Sequence, residues 1–381
     1  MNELDARIQS FIEAPGDPGP GALEARFNAL ALELFADQYE RNAAYRRFCR
    51  ARRAEPGRLR SWWEIPAVPL KAFKELTLAC EPPETAAAVF MTSGSTDPAR
   101  RGRNYHPHLR LYDASLRANF GEWFLPDRER MRLLVLNQPA DQQPNSSLAY
   151  FLTRLFDFYG ASGSGFFIGE SGLHLDSLVD ELRRAEEGGE AVGLLGTSFA
   201  YVHLLDALRA AGLSFRLPEG SRLLDTGGFK GRSREVSSAE LLALFDEHLG
   251  IPAPLAVNYY GMTEISTQYY DHSLRSFVQG STAEPRHKTV PHWARIAIID
   301  PGTREPVGPG ERGLIVHFDL ANRGSCLAVM AEDIGHAVRA GTAGPQDPGG
   351  FVLHGRAAGT EARGCSITLD ELLAANAGAR A

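Results

Sequence analysis

Between residues 86 and 259 the chain alternates short apolar runs with amphipathic stretches, and this pattern leaves few architectures open. The runs, rich in Val, Leu and Ile, cover residues 86–91, 132–136, 191–195, 222–224 and 255–259, and helical spacing fills 113–120, 173–187, 200–211 and 238–249. Strands alternating with helices predict an α/β fold with a mostly parallel sheet covered on both faces. After residue 285 the character changes. Residues 294–300 and 313–318 read as strands joined by a turn with Pro301-Gly302 and Pro306 to Gly310, which predicts a smaller antiparallel β subdomain. Upstream, Leu23, Phe27, Leu30, Leu34, Phe35 and Tyr39 recur at helical spacing and predict helix over residues 21–54. Pro66 and Pro69 make residues 61–74 irregular, and the Gly/Pro-rich residues 341–350 read as an exposed loop. The expected organisation is an N-terminal helical segment (1–60), an α/β nucleotide- and substrate-binding core (61–284), the antiparallel subdomain (285–353) and a short C-terminal segment (354–381).

Bulk properties exclude several function classes. A net charge of −7 argues against nucleic acid as a main partner, because a phosphate backbone needs a basic surface. The first residues mix acidic side chains with Pro and Gly, unlike a signal peptide, and no apolar stretch approaches the roughly 18 residues of a membrane span. Cys49, Cys80, Cys326 and Cys365 form no CxxC pair. Neither a zinc site nor a disulfide framework is indicated, and reduced thiols in a cytoplasmic protein are expected.

Two segments could carry chemistry. The first, TSGSTDPARRGR at residues 92–103, follows a strand-like run and groups the hydroxyls of Thr92, Ser93, Ser95 and Thr96 around Gly94. Gly lets successive N–H groups turn toward one anion, and Arg100, Arg101 and Arg103 offer charge-assisted bonds to phosphate. The same composition also suits a plain surface turn, and no GxxxxGK[ST] loop occurs. The second, NYYGMTEIST at residues 258–267, follows an apolar strand. At the carboxyl end of a parallel strand an aromatic could stack on a purine and a carboxylate could hold Mg²⁺ against phosphates. A buried aromatic corner with a solvated Glu fits the segment too. Hydrolase signatures GxSxG and HExxH are absent.

Taken together, in that order and at that separation, the two segments resemble the adenylate-forming ligases: acyl-CoA synthetases, peptide-synthetase adenylation domains and firefly-type luciferases. Glu332-Asp333-Ile334-Gly335 and Gly355-Arg356 fall where that superfamily places a ribose-binding Asp and a hinge Arg. Residues 65–74, the run DTGGFKGR at 225–232 and HGRAAGTEARGCSITLDEL at 354–372 look like one branch, the LuxE-like acyl-protein synthetases. The resemblance spans about residues 60–372 and implies the large domain of an adenylate-forming ligase. ATP and Mg²⁺ are the implied cofactors, and a carboxylic acid, in this branch a fatty acid, is activated as acyl-AMP. Thr92, Ser93, Gly94, Ser95, Thr96 and Arg100 would hold phosphates, and Glu264 the metal. Tyr260, beside Tyr259 and Gly261, would stack on adenine, and Thr263 would contact the α-phosphate. Asp333 and Arg356 would hold the ribose, and Gly227 and Gly228 would let the backbone approach the adenylate. In this branch the acyl group passes to a cysteine near the C-terminus, here Cys365, placed between Arg363 and a helix start at 368–372, and then to a partner reductase.

The sequence departs from the superfamily pattern at three points. Asp97 stands where a second Gly is usual, and Arg100 or Arg101 where Lys is usual. The small C-terminal domain that carries a reacting Lys is expected to be lacking, as in LuxE-like proteins, and Lys230 is the candidate replacement. Two alternatives stay open: a stand-alone ligase loading a carrier protein or CoA, and a catalytically degenerate nucleotide-binding protein of this fold.

Overall fold

A computed structural model of the chain describes residues 3–14, 19–93, 100–227, 236–281, 284–308, 310–338, 349–357 and 361–377, with backbone only at Pro20 and residues 361–367. The loop expectation for 341–350 falls outside the described residues except at its last two positions. The chain divides into two compact units, one of residues 1–115, 261–269 and 287–381, the other of 116–260 and 270–286.

The first unit opens with helices Glu3–Ile12, Pro20–Arg41 and Ala43–Ala51. The single helix expected over 21–54 is thus broken at Asn42, which leaves helical geometry (φ −94°, ψ 96°) and caps the next helix by accepting from Tyr45 N. Asn42 Nδ2 also donates to the Ser325 carbonyl at 3.2 Å, which fixes the capping residue from outside the helix. Ala88–Met91 and Arg103–His106 pair as a two-stranded antiparallel ribbon, and the Thr92 loop joins them. A six-stranded sheet runs Lys288–Thr289, Gly350–Arg356, Ala328–Val338, Gly313–Asp319 and Ala294–Ile299, antiparallel throughout, with Val68–Pro69 added parallel to Ala328–Val338. Helix Glu361–Asn376 follows. It starts seven residues before the expected position at Thr368, so Cys365 lies within a helix rather than ahead of one. Packing of the helix's later half, where Thr368, Leu372 and Asn376 are buried, outweighs the roughly 1 kcal/mol that Gly364 costs in a helix.

The second unit holds the parallel sheet. Gly165–Phe166, Arg132–Leu136, Val192–Thr197, Arg222–Thr226 and Ala256–Tyr260 lie side by side and parallel, with short Tyr269–Tyr270 at the far edge. Arg132–Leu136 and Arg222–Thr226 are buried along their whole length, as strands covered on both faces must be. Three of the connecting helices begin on side-chain caps: Ser146 accepts from Ala149 N, Thr197 from Ala200 N and Ser237 from Glu240 N. The α/β architecture with an antiparallel β portion matches the expectation. Helix Ser147–Tyr159 and strands Ala328–Val338 and Gly350–Arg356 were not anticipated.

Candidate active site

In the first unit, the ends of the two-stranded ribbon clamp the Thr92 loop. Thr92 N donates to the Gly102 carbonyl at 3.0 Å, and Gly102 N donates to Thr92 Oγ1 at 2.9 Å. Arg101 Nε donates to the Thr92 carbonyl at 2.6 Å, and Arg100 pairs with Glu75 at 2.5 Å. Both arginines therefore brace the stem. A Cβ on Gly102 would come within 3.0 Å of Thr92 Cγ2 and 3.5 Å of Lys74 Cγ, so the Lys74 stem packs directly against the loop base. Ser93 is exposed. Gly94, Ser95, Thr96 and Asp97 lie outside the described residues.

The segment after Gly261 is fixed from behind by side chains that the sequence reading did not single out. Asn104 Nδ2 donates to the Thr263 carbonyl at 3.0 Å, and Asn322 Nδ2 to the Glu264 carbonyl at 2.8 Å. The Asp319 carboxylate accepts from Ser266 N, Thr267 N and Thr267 Oγ1, each at 2.8 Å. Asn322 Nδ2 also reaches the Cys326 carbonyl at 2.7 Å, across the tight turn at Gly324, where a Cβ would strike the Tyr105 carbonyl at 2.0 Å. With its backbone held at these points, Glu264 is buried. Burial pushes its carboxyl up to about 7; a backbone hydrogen bond and the positive charges of Arg356 and Lys74 pull it down, and the negative charge of Glu332 pushes it up again. A buried carboxyl with a second carboxylate nearby and its acidity already weakened suits a divalent cation, whose charge would replace the lost solvation.

Asp333 and Arg356 sit directly opposite each other on adjacent strands, Arg356 Nε lying 4.0 Å from Asp333 Oδ1. Glu332 takes Lys71 Nζ at 3.0 Å and has Arg356 at 4.0 Å. Arg356 is largely exposed (70% of its side chain) and ends a strand of the sheet, although the resemblance puts it at a hinge.

In the second unit, strand Arg222–Thr226 ends at Gly227, whose φ of +81° is a conformation that favours glycine. Ser198 Oγ donates to Asp225 Oδ1 at 2.8 Å and to the Gly227 carbonyl at 3.1 Å, and Asn258 Nδ2 donates to Asp225 Oδ2 at 3.0 Å. Thr226 Oγ1 donates to the Tyr259 carbonyl at 3.1 Å. Tyr259 is buried and stacks on Tyr270 at 5.7 Å, so it builds the strand end, while Tyr260 is partly exposed. Gly228 and Lys230 lie outside the described residues.

Three of the four cysteines are buried in the first unit. Burial pushes the thiols of Cys49 and Cys80 up to about 12 and that of Cys326 well above its usual value. None of these thiols ionises near neutral pH. Cys365 lies in the backbone-described part of the C-terminal helix.

Thus Thr263, Glu264, Asp333, Arg356 and the base of the Thr92 loop lie in one unit, and Gly227, Tyr259 and Tyr260 in the other. Lys74, Asn104, Asp319, Asn322 and Glu332 are additions from the structure. Only Lys74 had a signal in the sequence, because it closes the segment 65–74 that carried part of the family resemblance.

Known proteins point the same way. The chain is 22% identical to the long-chain-fatty-acid–luciferin-component ligase of Aliivibrio fischeri over 355 residues, covering 91% of this chain and 88% of that protein. The ligase of the same description from Vibrio harveyi is 23% identical over 305 residues, covering 78% and 75%. Among solved structures, 2-hydroxyisobutyryl-CoA ligase in complex with 2-HIB-AMP and CoA shares the fold with a TM-score of 0.65 at 15% identity, over 93% of this chain and 72% of that one. Among the described residues no helix is long and apolar enough to cross a membrane. The family model for acyl-protein synthetase LuxE matches residues 22–374. The chain belongs to the LuxE family of acyl-protein synthetases.

Proposed function

We propose that the protein uses ATP to activate a long-chain fatty acid as its acyl-adenylate and then passes the acyl group to the thiol of Cys365. The observation that carries the adenylation step is Glu264: a buried carboxyl on a backbone pinned by Asn104, Asn322 and Asp319, within the fields of Lys74 and Arg356. In the first step a carboxylate oxygen of the acid bonds to the α-phosphorus of ATP. The bond from that phosphorus to the bridging oxygen breaks, and pyrophosphate leaves with the electron pair. Positioning and charge stabilisation do the catalytic work. Thr92, Ser93, Gly94, Ser95 and Thr96 grip the β- and γ-phosphates, and Thr263 meets the α-phosphate. Tyr260 stacks on the adenine; Asp333 and Arg356 hold the ribose; Gly227 and Gly228 let the backbone lie close. Glu264 would hold magnesium, which when bound would supply positive charge to the phosphates. Lys74, against the loop base, adds a fixed cation, and Lys230 remains a candidate for a second.

In the second step the Cys365 thiolate attacks the adenylate's carbonyl carbon, a C–S bond forms, the C–O bond breaks and AMP departs. The inert state of the other three thiols supports Cys365 as the acceptor. A reductase, a carrier protein or CoA then takes the acyl group. Fatty-acid-dependent exchange of pyrophosphate into ATP tests the first step: Glu264→Ala and Lys74→Ala should each lower it by about 100-fold. Cys365→Ser should keep the exchange and lose covalent labelling by radioactive fatty acid. Exchange untouched by Glu264→Ala refutes the metal assignment.

A further inference from the structure

The first unit contains a cavity of about 810 Å³ that none of these residues uses. Its floor is one face of the antiparallel sheet. Cross-strand register puts Ala297 opposite Val316 and Val316 opposite Met330, so these three share a face, with Phe318 two residues along. Trp62 forms a wall, held edge-on against Phe318 with ring centroids 4.7 Å apart, its Nε1 donating to Glu24 at 2.7 Å. At the rim stands Trp63, 47% exposed, one of few large apolar side chains left in solvent among the described residues. Thr368 of the C-terminal helix completes the lining. The size and the mostly apolar walls fit a small-molecule site of the usual range, about 300–1,000 Å³.

Charge narrows the occupant. The lining arginines Arg52 and Arg304 both pair with Glu371 of the C-terminal helix, Arg304 as a two-pronged fork at 3.0 Å on each oxygen. Against these two positive charges stand Glu371 and the lining carboxylates Glu64 and Glu305, so the lining has no surplus positive charge to receive the carboxylate of a free fatty acid. A neutral acyl chain, its carboxyl carbon already in a thioester, meets no such cost. Cys365 precedes Thr368 by one helical turn, about 4.5 Å along the axis. Chains of fatty length are much longer than that step.

We propose that this cavity seats the hydrocarbon chain of the acyl group while it is carried as a thioester on the C-terminal helix. The inference rests on the acyl-transfer reading above, and it assigns the held chain a place and a means of exclusion from water. Occupancy should rise about fourfold per methylene buried.

The direct test loads the helix without catalysis. A brominated long-chain alkyl methanethiosulfonate is attached to Cys365: the thiolate attacks the sulfenyl sulfur, a disulfide forms and methanesulfinate leaves. Bromine quenches tryptophan at short range, so emission should fall in the full-length protein, and should not fall with a methyl probe or in the Trp62→Phe/Trp63→Phe double variant. A long probe confirmed on Cys365 by mass spectrometry with emission unchanged, or with quenching that persists in the double variant, overturns the proposal. A second arm fills the cavity with Ala297→Phe. Acyl-enzyme from tetradecanoic acid should fall at least about tenfold, acyl-enzyme from hexanoic acid should hold, and pyrophosphate exchange with both acids should stay unchanged. Equal yields from both acids would also overturn it. Absence of exchange with every acid in the unaltered protein would count against the ligase reading instead, and the quenching arm, which needs no ATP, would still decide the cavity.

Discussion

Glu264 shows what burial does to a single residue. Its carboxyl, raised to about 7 in the folded chain from 4.5, binds its proton more tightly folded than unfolded. Its favourable contribution to stability is therefore fully present below about pH 4.5 and is lost as pH rises through about 7. A metal must displace that proton. The magnesium concentration giving half-maximal exchange should rise about tenfold for each pH unit below about 7 and level off above it. Magnesium titrations across that range check this, and Glu264→Gln should flatten the curve. Asn322 is the second test at this scale. Its Nδ2 serves the Glu264 and Cys326 carbonyls together. Asn322→Ala leaves both buried acceptors unpaired and should cost about 2–3 kcal/mol in denaturant unfolding, and it should slow exchange through a loosened Glu264. An exchange rate that holds while stability falls would make Asn322 purely structural.

At the scale of elements, the C-terminal helix is tied to the first unit by buried Thr368, Leu372 and Asn376, by Asn376 Nδ2 donating to the Ala44 carbonyl at 3.2 Å, and by the Arg52–Glu371–Arg304 cluster. Glu371 is partly exposed, so Glu371→Ala should change global stability by less than about 1 kcal/mol. It should nevertheless speed amide hydrogen exchange across residues 361–377 and lower acyl-enzyme yield with adenylation intact. Legibility in the sequence follows the same physics. The parallel strands stood out because Arg132–Leu136 or Val192–Thr197 is nearly continuous apolar chain, buried throughout its middle. Ala328–Val338 did not, because Glu332, Asp333 and Gly335 interrupt its apolar run for reasons that lie in the candidate site. The break at Asn42 was hidden because its reward is a bond to Ser325, 283 positions away. The two signature segments were legible as local patterns. Their supports, Asn104, Asp319 and Asn322, are common polar residues brought beneath them only by tertiary folding.

For the whole molecule, a first unit built on an antiparallel sheet and a second, α/β unit with a parallel sheet carry an activity that the LuxE family defines by its outcome: an acyl group moved from acid to protein. The central claim is that ATP is attacked at its α-phosphorus by the acid itself. The most direct measurement follows heavy oxygen placed in the carboxyl group of a long-chain fatty acid through one turnover with MgATP. The account predicts one heavy oxygen in the phosphate of AMP and none in pyrophosphate, because the attacking carboxylate oxygen stays on the α-phosphorus when the thiol takes the acyl group. ADP and inorganic phosphate as products, with the label in phosphate, would contradict it.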